Sequence, residues 1–429
     1  MKILIKNGHV VDAKSGVDTI LDVLIDNGKI AQLGNDLEDT GCDFIDATGM
    51  YVLPGFVDVH CHLRDPGYEY KENIESGTRS AAAGGFTSIA CMGNTNPVAD
   101  NQTVIRYIIN KAKSEGVVNV YPIGTITKGR KGEELSEIGD LKFAGAVAIS
   151  DDGKPVSDPS LMKKALQYAA MFDIAVISHC EDLLLSEDGM MNEGYYSSIL
   201  GLKGIPNAAE EVMVSRDLIL AGYVNASVHI AHVSTALSVE LIRNAKKRGV
   251  KVTAETCPHY FSLTDKECEN FNTMAKVNPP LRTENDVEAI KTGLADGTID
   301  IIATDHAPHH IDEKNVEFDL ASSGISGFET AFALTATHLI RPGILTMKQL
   351  VQKMCVNPSM LLGLNKGTLE TGKAADITIV CLDEKVTVDV GSFHSKGKNS
   401  PLHGFTLYGA VYHTLVDGRF IIREKSLLL

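Results

Sequence analysis

Pro54-Gly55-Phe56-Val57-Asp58-Val59-His60-Cys61-His62-Leu63-Arg64 is the stretch from which the architecture of this chain can be read. An apolar run rich in β-branched residues, opened by Pro-Gly, reads as a strand. Side chains at i and i+2 of a strand point to the same face. The pattern therefore turns His60 and His62 one way, with Val59 and Cys61 the other. Two co-facing neutral imidazoles are half of a zinc-type site, because both rings can converge on one ion. Chemistry at the carboxyl end of a strand is what a parallel α/β barrel displays.

Outward from this strand the chain alternates. Phe56–His62, Phe86–Met92, Val117–Ile123, Ala146–Asp151, Ile174–His179, Ala226–His232, Val250–Thr256 and Ile299–Asp305 read as strands. Helical periodicity covers Lys71–Ala83, Val104–Ser114, Pro159–Met171, Ala208–Leu220, Ala236–Lys247 and Asp286–Ala295. Asp158 before Pro159 fits an N-cap with proline in the first turn. Asn207 with Glu210 resembles a capping box. Only the connection near Lys128–Glu137 lacks a helical pattern. This alternation favours an α/β fold of the (β/α)8 TIM-barrel type. A doubly wound open sheet is the second choice, but no Gly-x-Gly-x-x-Gly follows the first strand.

The two ends differ from the middle. Lys2–Lys6 and His9–Ala13 flank Asn7-Gly8, and Asp22–Asp26 and Lys29–Leu33 flank Asn27-Gly28, both hairpin signals. Ala375–Leu382 alternates, and Val411–Val416 and Arg419–Arg423 enclose Asp417-Gly418. Neither end has much core of its own, so the pair reads as one small β-sandwich domain built from residues 1–53 and 366–429 around a barrel of residues 54–365.

At 429 residues, 44% of them hydrophobic, the chain can fill a barrel core and an accessory domain. A formal net charge of −15 argues against nucleic acid or an anionic membrane as partner, though not against a small anionic substrate. No apolar run approaches a membrane span, and Met1-Lys2-Ile3-Leu4-Ile5-Lys6 reads as a strand instead of a signal peptide. Eight scattered cysteines without a Cys-x-x-Cys pair suit a reduced, cytoplasmic protein.

On the barrel reading, metal-capable residues close five strands: His60 and His62 the first, Asp151-Asp152 the fourth, His179 the fifth, His232 the sixth and Asp305 the eighth. Their coincidence reads as a binuclear metal site. Parity turns His229 toward the helical layer, makes Cys61 and Cys180 small buried hydrophobes, and gives Asp58 an inward aspect suited to supporting a ligand histidine. His259, His306 and His310 are loop residues without an assigned role beyond pocket polarity. His306–Gly327, long and polar, reads as a mobile lid that carries His309 into the pocket.

Taken together, PGFVDVHCHLRDPG (54–67), GGFTSIACMGNTNP (84–97), SDDG (150–153), SHCE (178–181), AHVS (231–234), AETCPHY (254–260), KVNPPLR (276–282) and ATDHAPH (303–309) resemble the amidohydrolase superfamily and, within it, the class I dihydroorotases. The resemblance runs along essentially the whole chain. It implies two zinc ions per subunit, or other divalent metals, held by His60, His62, Asp152, His179, His232 and Asp305. It further implies Asp152 as the bridge, Asp305 as catalytic acid/base, and His62, Arg64, Asn94, Asn278, His309, Ser323 and Gly324 as substrate contacts. Ser323-Gly324 stands where the family usually has Phe-Gly or a similar pair. Many members of the superfamily bridge their metals with a carboxylated lysine. Here strand four ends in Ser150-Asp151-Asp152-Gly153 with Lys154 beyond, and a bulge could exchange the roles of Asp151 and Asp152.

The implied reaction is the reversible, zinc-dependent cyclisation of N-carbamoyl-L-aspartate to L-dihydroorotate in de novo pyrimidine biosynthesis. An oligomer of identical chains such as a dimer, and association with an aspartate transcarbamoylase, belong to the same expectation. Hydrolysing a cyclic amide needs an activated water and a polarised carbonyl, which two divalent ions can supply. Arg64 offers a planar donor fork for a substrate carboxylate; its competing reading is an ion pair with Asp65 or Glu69. Hydantoinase, dihydropyrimidinase or allantoinase activity is the nearest alternative, and a catalytically silent homologue that scaffolds a partner enzyme is another.

Overall fold

The structure, a computed structural model, describes residues 2–38 and 41–428; Met1, the first residue of the expected amino-terminal strand, lies outside them. Eight parallel strands follow one another around a barrel: Phe56–Cys61, Phe86–Cys91, Asn119–Gly124, Ala148–Ile149, Ala175–Ser178, Val228–Ile230, Val252–Thr256 and Ile301–Ile302. The last meets the first through a single parallel bridge, Cys61 to His306, beside which His62 N–H donates to the His306 carbonyl at 2.8 Å. Every strand is where the sequence puts it, and most are shorter at the carboxyl end. The chain leaves the ladder there to aim its functional side chains: His232 and Asp305 have φ of 30° and 43°, conformations that cost a non-glycine residue about 1–3 kcal/mol and cluster at functional sites.

Val59, Ala90, Met92, Ile123, Ala148, Ile177, Ala231, Ile301, Ala303 and Leu362 form one buried cluster. All but Leu362 lie on or just beyond barrel strands, so this cluster is the filling of the lumen. A larger cluster joins the outer strand faces to the helices, with Phe56, Phe86, Phe328 and Phe332 at its middle. Helices Pro159–Met171 and Ala236–Lys247 have the expected bounds. Asp158 caps the former, accepting from Ser160 N–H at 2.7 Å. The capping box at Asn207 does not form. Asn207 is itself helical and donates to Asp286, while Glu210 turns to Ser234 and Thr235. The connection after the third strand holds a 3₁₀ turn at Lys128–Arg130 and a helix, Ile138–Ala144, too short for periodicity to announce.

The chain ends form one hydrogen-bonded sheet of nine strands among the described residues. Tyr51–Pro54 joins the halves by pairing antiparallel with Ile377–Thr387. Asn27-Gly28 and Asp417-Gly418 make the expected tight turns with positive φ. Asn7-Gly8 does not turn the chain: Lys2–Asp12 is continuous, and its pairing with Val17–Asp26 slips there as a bulge. No helix among the described residues is long and apolar enough to cross a membrane.

Candidate active site and metal centre

Asp152, just past the fourth strand, is the hub. Its Oδ1 lies 3.4 Å from His60 Nε2, 3.5 Å from His179 Nδ1 and 3.3 Å from His232 Nε2, and its Oδ2 lies 3.5 Å from His62 Nε2. Asp305 Oδ1 stands 3.0 Å from His62 Nε2 and 3.5 Å from His60 Nε2. None of the six is more than 7% exposed. Two triads, His60-Asp152-His232 and His60-His62-Asp305, bring their donor atoms close enough to share an ion.

The donor set fits divalent metal. His60 Nε2 is buried without a hydrogen-bond partner, a cost that a bound cation removes. His179 Nδ1 and His232 Nε2 are only 2.8 Å apart, converging beside one carboxylate. Imidazole nitrogen with carboxylate oxygen suits zinc and its neighbours. Burial alone would raise the Asp152 carboxyl, but the His60, His179 and His232 rings hold it well below the usual range.

Outer partners set each ring's tautomer. His60 Nδ1 donates to Glu255 at 2.6 Å, His62 Nδ1 to Asn94 Oδ1 at 3.0 Å, and His179 Nε2 to Glu181 at 3.0 Å. In each case the other ring nitrogen faces the centre. Glu181 also accepts from Asn278 at 3.0 Å; burial raises its carboxyl, yet His179 and Asn278 bring it down to about 2.

The two aspartates of strand four separate cleanly. Asp151 is consumed by Ile126 N–H, Thr127 N–H and the Thr127 hydroxyl, whereas Asp152 faces the histidines. Lys154 is exposed. Other parity readings need correction. His229 faces the lumen, its Nε2 3.1 Å from Glu255 and its Nδ1 2.7 Å from Thr253 Oγ1; the turn at His232 lets both histidines point inward. Val59 is also inward, because pairing with the second strand slips between Asp58 and Cys61. Asp58 supports backbone, not a ring: it accepts from Thr304 N–H, the Thr304 hydroxyl and His60 N–H.

Beside this centre opens a cavity of about 210 Å³ lined by His62, Arg64, Asn94, Asp152, Gly153, His179, Val277, Asn278, Asp305, Ala307, His309, Ser323 and Gly324. Every expected substrate contact is on that wall. Arg64 pairs with neither Asp65 nor Glu69. Its Nε donates to the Pro308 carbonyl at 3.2 Å, its Nη2 stands 3.2 Å from His309 Nε2, and Asp65 goes to Lys111. Burial and the adjacent Arg64 push the His309 imidazole down to about 3. Ser323 offers its carbonyl, 2.9 Å from His309 Nε2. The segment expected as a lid is already in place: Lys314, fully buried, donates to the Lys276, Ser322 and Gly324 carbonyls.

His306 stacks on Phe328, His310 is a half-buried cap, and His259 is buried with Nε2 unpartnered and its ring pushed down by burial to about 4. Sequence reasoning missed Glu255, Glu181 and Lys314. A carboxylate inside the expected strand Val250–Thr256 was the available signal for Glu255.

Comparison with known proteins bears on the chain as a whole. A family model described as dihydro-orotase-like matches residues 49–238. The chain is 69% identical over 425 residues to the dihydroorotase of Acetivibrio thermocellus, covering 99% of this chain and 100% of the relative. It is 66% identical over 428 residues to that of Ruminiclostridium cellulolyticum, covering 100% of both. Among solved structures, an L-hydantoinase (dihydropyrimidinase) from Arthrobacter aurescens superposes with a TM-score of 0.90 at 27% identity, over 100% of this chain and 97% of that one. The dihydropyrimidinase of Brevibacillus agri gives 0.88 at 26%, over 100% and 96%. With a barrel whose strand ends bring four histidines and two aspartates together, and 66–69% identity over nearly the whole length to relatives of one name, the chain belongs to the dihydroorotase family of the amidohydrolase superfamily.

Proposed function

We propose that this protein interconverts L-dihydroorotate and N-carbamoyl-L-aspartate in pyrimidine biosynthesis, using two zinc ions per subunit. The observation that carries the reading is a cationic fork, Arg64, on the wall of the cavity beside the Asp152 hub, with no carboxylate in ion-pair contact among the described residues. A substrate carboxylate supplies that partner; a hydantoin ring has none. His60, His62, Asp152, His179, His232 and Asp305 would hold the ions, Asp152 between them. The metals, when bound, supply Lewis-acid polarisation of the ring amide and a water acidified toward neutral pH.

The chain's own residues do the rest. Arg64 and His309 grip the carboxylate, with Asn94, Asn278 and the Ser323-Gly324 backbone fixing the ring's orientation. Asp305 takes a proton from the attacking water and returns it to the leaving ring nitrogen; in the cyclising direction it removes the proton of the carbamoyl nitrogen and delivers it to the carboxyl oxygen that leaves as water. The organisation is read as residues 1–53 and 366–429 forming one domain around a barrel of residues 54–365, which the pairing of Tyr51–Pro54 with Ile377–Thr387 supports. Family likeness also supports a cytoplasmic location, an oligomer of identical chains, and an aspartate transcarbamoylase as a partner to test. The decisive experiment is zinc content measured together with turnover of dihydroorotate, carbamoyl aspartate and hydantoin. Metallated protein that prefers hydantoin would reverse the substrate assignment.

A further inference from the structure

Residues 394–400, between two strands of the terminal sheet, lie against the loops that follow the first and eighth barrel strands. Glu329 accepts from His394 N–H at 2.7 Å, and Glu72 accepts from the Ser395 hydroxyl and from Lys396 N–H. Gly397 permits the close approach: a Cβ there would stand 2.5 Å from Pro308 Cβ. Pro308 is the residue whose carbonyl takes Arg64 Nε.

Asn399, 2% exposed, spends its whole amide on the pocket wall. Its Oδ1 accepts from His309 N–H at 2.9 Å and from the Ser326 hydroxyl at 3.0 Å. Its Nδ2 donates to the Ala307 carbonyl at 3.0 Å and the Gly324 carbonyl at 2.9 Å. Ala307, His309 and Gly324 all line the cavity. Two donors and two acceptors on one planar end is an amide's inventory. The His309 N–H on one side and two carbonyls on the other fix which way the amide faces, while the Ser326 hydroxyl shares its one proton with the Gly397 carbonyl. A carboxylate has no proton for those carbonyls, and an apolar side chain would leave buried groups unpaired.

We propose that Asn399 is a positioning residue for substrate: it sets the spacing between the His309 limb and the Ser323-Gly324 limb of the pocket. The effect on substrate rests on the function proposed above; the effect on the loop does not.

The test uses the full-length protein with Asn399→Ala and Asn399→Asp, the latter keeping shape and acceptors while losing both donors. Misplacing a positioning group by about 1 Å can cost on the order of 100-fold. We expect KM for dihydroorotate to rise roughly ten- to a hundredfold in both variants, kcat to change far less, and metal content to stay at the wild-type value. Hydrogen exchange followed by mass spectrometry should show faster exchange in residues 305–327 and none at the far end of the barrel. If Asn399→Ala does not fold, Asn399→Asp carries the test. Unchanged KM, or residues 305–327 exchanging at the wild-type rate, overturns the proposal. Should the wild-type protein ignore dihydroorotate, the functional reading fails, and the exchange measurement still decides on Asn399.

Discussion

Glu255 holds the outer nitrogen of His60 at 2.6 Å, and its second oxygen lies 3.1 Å from His229 Nε2. The line runs from half-buried Thr253 through the buried His229 and Glu255 to buried His60, so the ring that both candidate triads share cannot rotate without breaking it. Such outer partners typically set metal affinity within about 10–100-fold. Glu255→Gln should weaken metal binding by roughly that factor, measured by competition with a chelator, while His60 stays in place. Affinity equal to wild type would show that packing alone orients the ring.

The bridge separates two outcomes. Asp152→Ala should lose bound metal, because one carboxylate serves four imidazoles. Lys154→Ala should keep it, and loading should not depend on added bicarbonate. A carbon dioxide mass increment on Lys154 would contradict this assignment.

Removing the carboxylate fork tests recognition apart from metal. Arg64→Met should lower kcat/KM for dihydroorotate by about 100-fold or more, the scale of a charge-assisted bidentate contact in a desolvated site. His309→Ala should impair turnover too. Both variants should retain wild-type metal content; loss of metal in either would make that residue a ligand's support.

Glu329 gives a pH signature independent of the metals. Burial raises its carboxyl from an ordinary 4.5 to about 7 against the opposing pull of Ser80 and the Ser395 and His394 amides, and all three donors meet one oxygen. The other oxygen can keep its proton. The folded state therefore holds a proton that the unfolded chain releases, and stability falls as pH rises from about 4.5 to about 7, by up to on the order of 3 kcal/mol. Glu329→Gln should flatten that part of the profile in denaturant titrations at pH 5 and pH 8. An unchanged difference between those pH values would assign the slope to other groups.

Local periodicity made the barrel legible, since each strand and most helices carry their own pattern, and the candidate ligands sit where strands end. Parity failed where the ladder is irregular: Val59 at a register slip, His229 ahead of the positive φ at His232. Asn7-Gly8 carries turn chemistry but sits where a partner strand runs past it, so it became a bulge. Supporting residues were out of reach for another reason. Glu255 is 195 residues from His60, and Asn399 is 90 from His309. The first pairing depends on closure of the whole barrel and the second on the carboxyl-terminal segment returning to it, and no local window contains either.

Metal analysis joined to substrate choice bears most directly on the central claim, that the Asp152 hub and Arg64 form one site for a cyclic amide carrying a carboxylate. Purified protein should contain two divalent ions per chain and interconvert dihydroorotate with carbamoyl aspartate while leaving hydantoin largely untouched. Fully metallated protein that hydrolyses hydantoin and ignores dihydroorotate, or protein that binds no metal and still turns over, would contradict it.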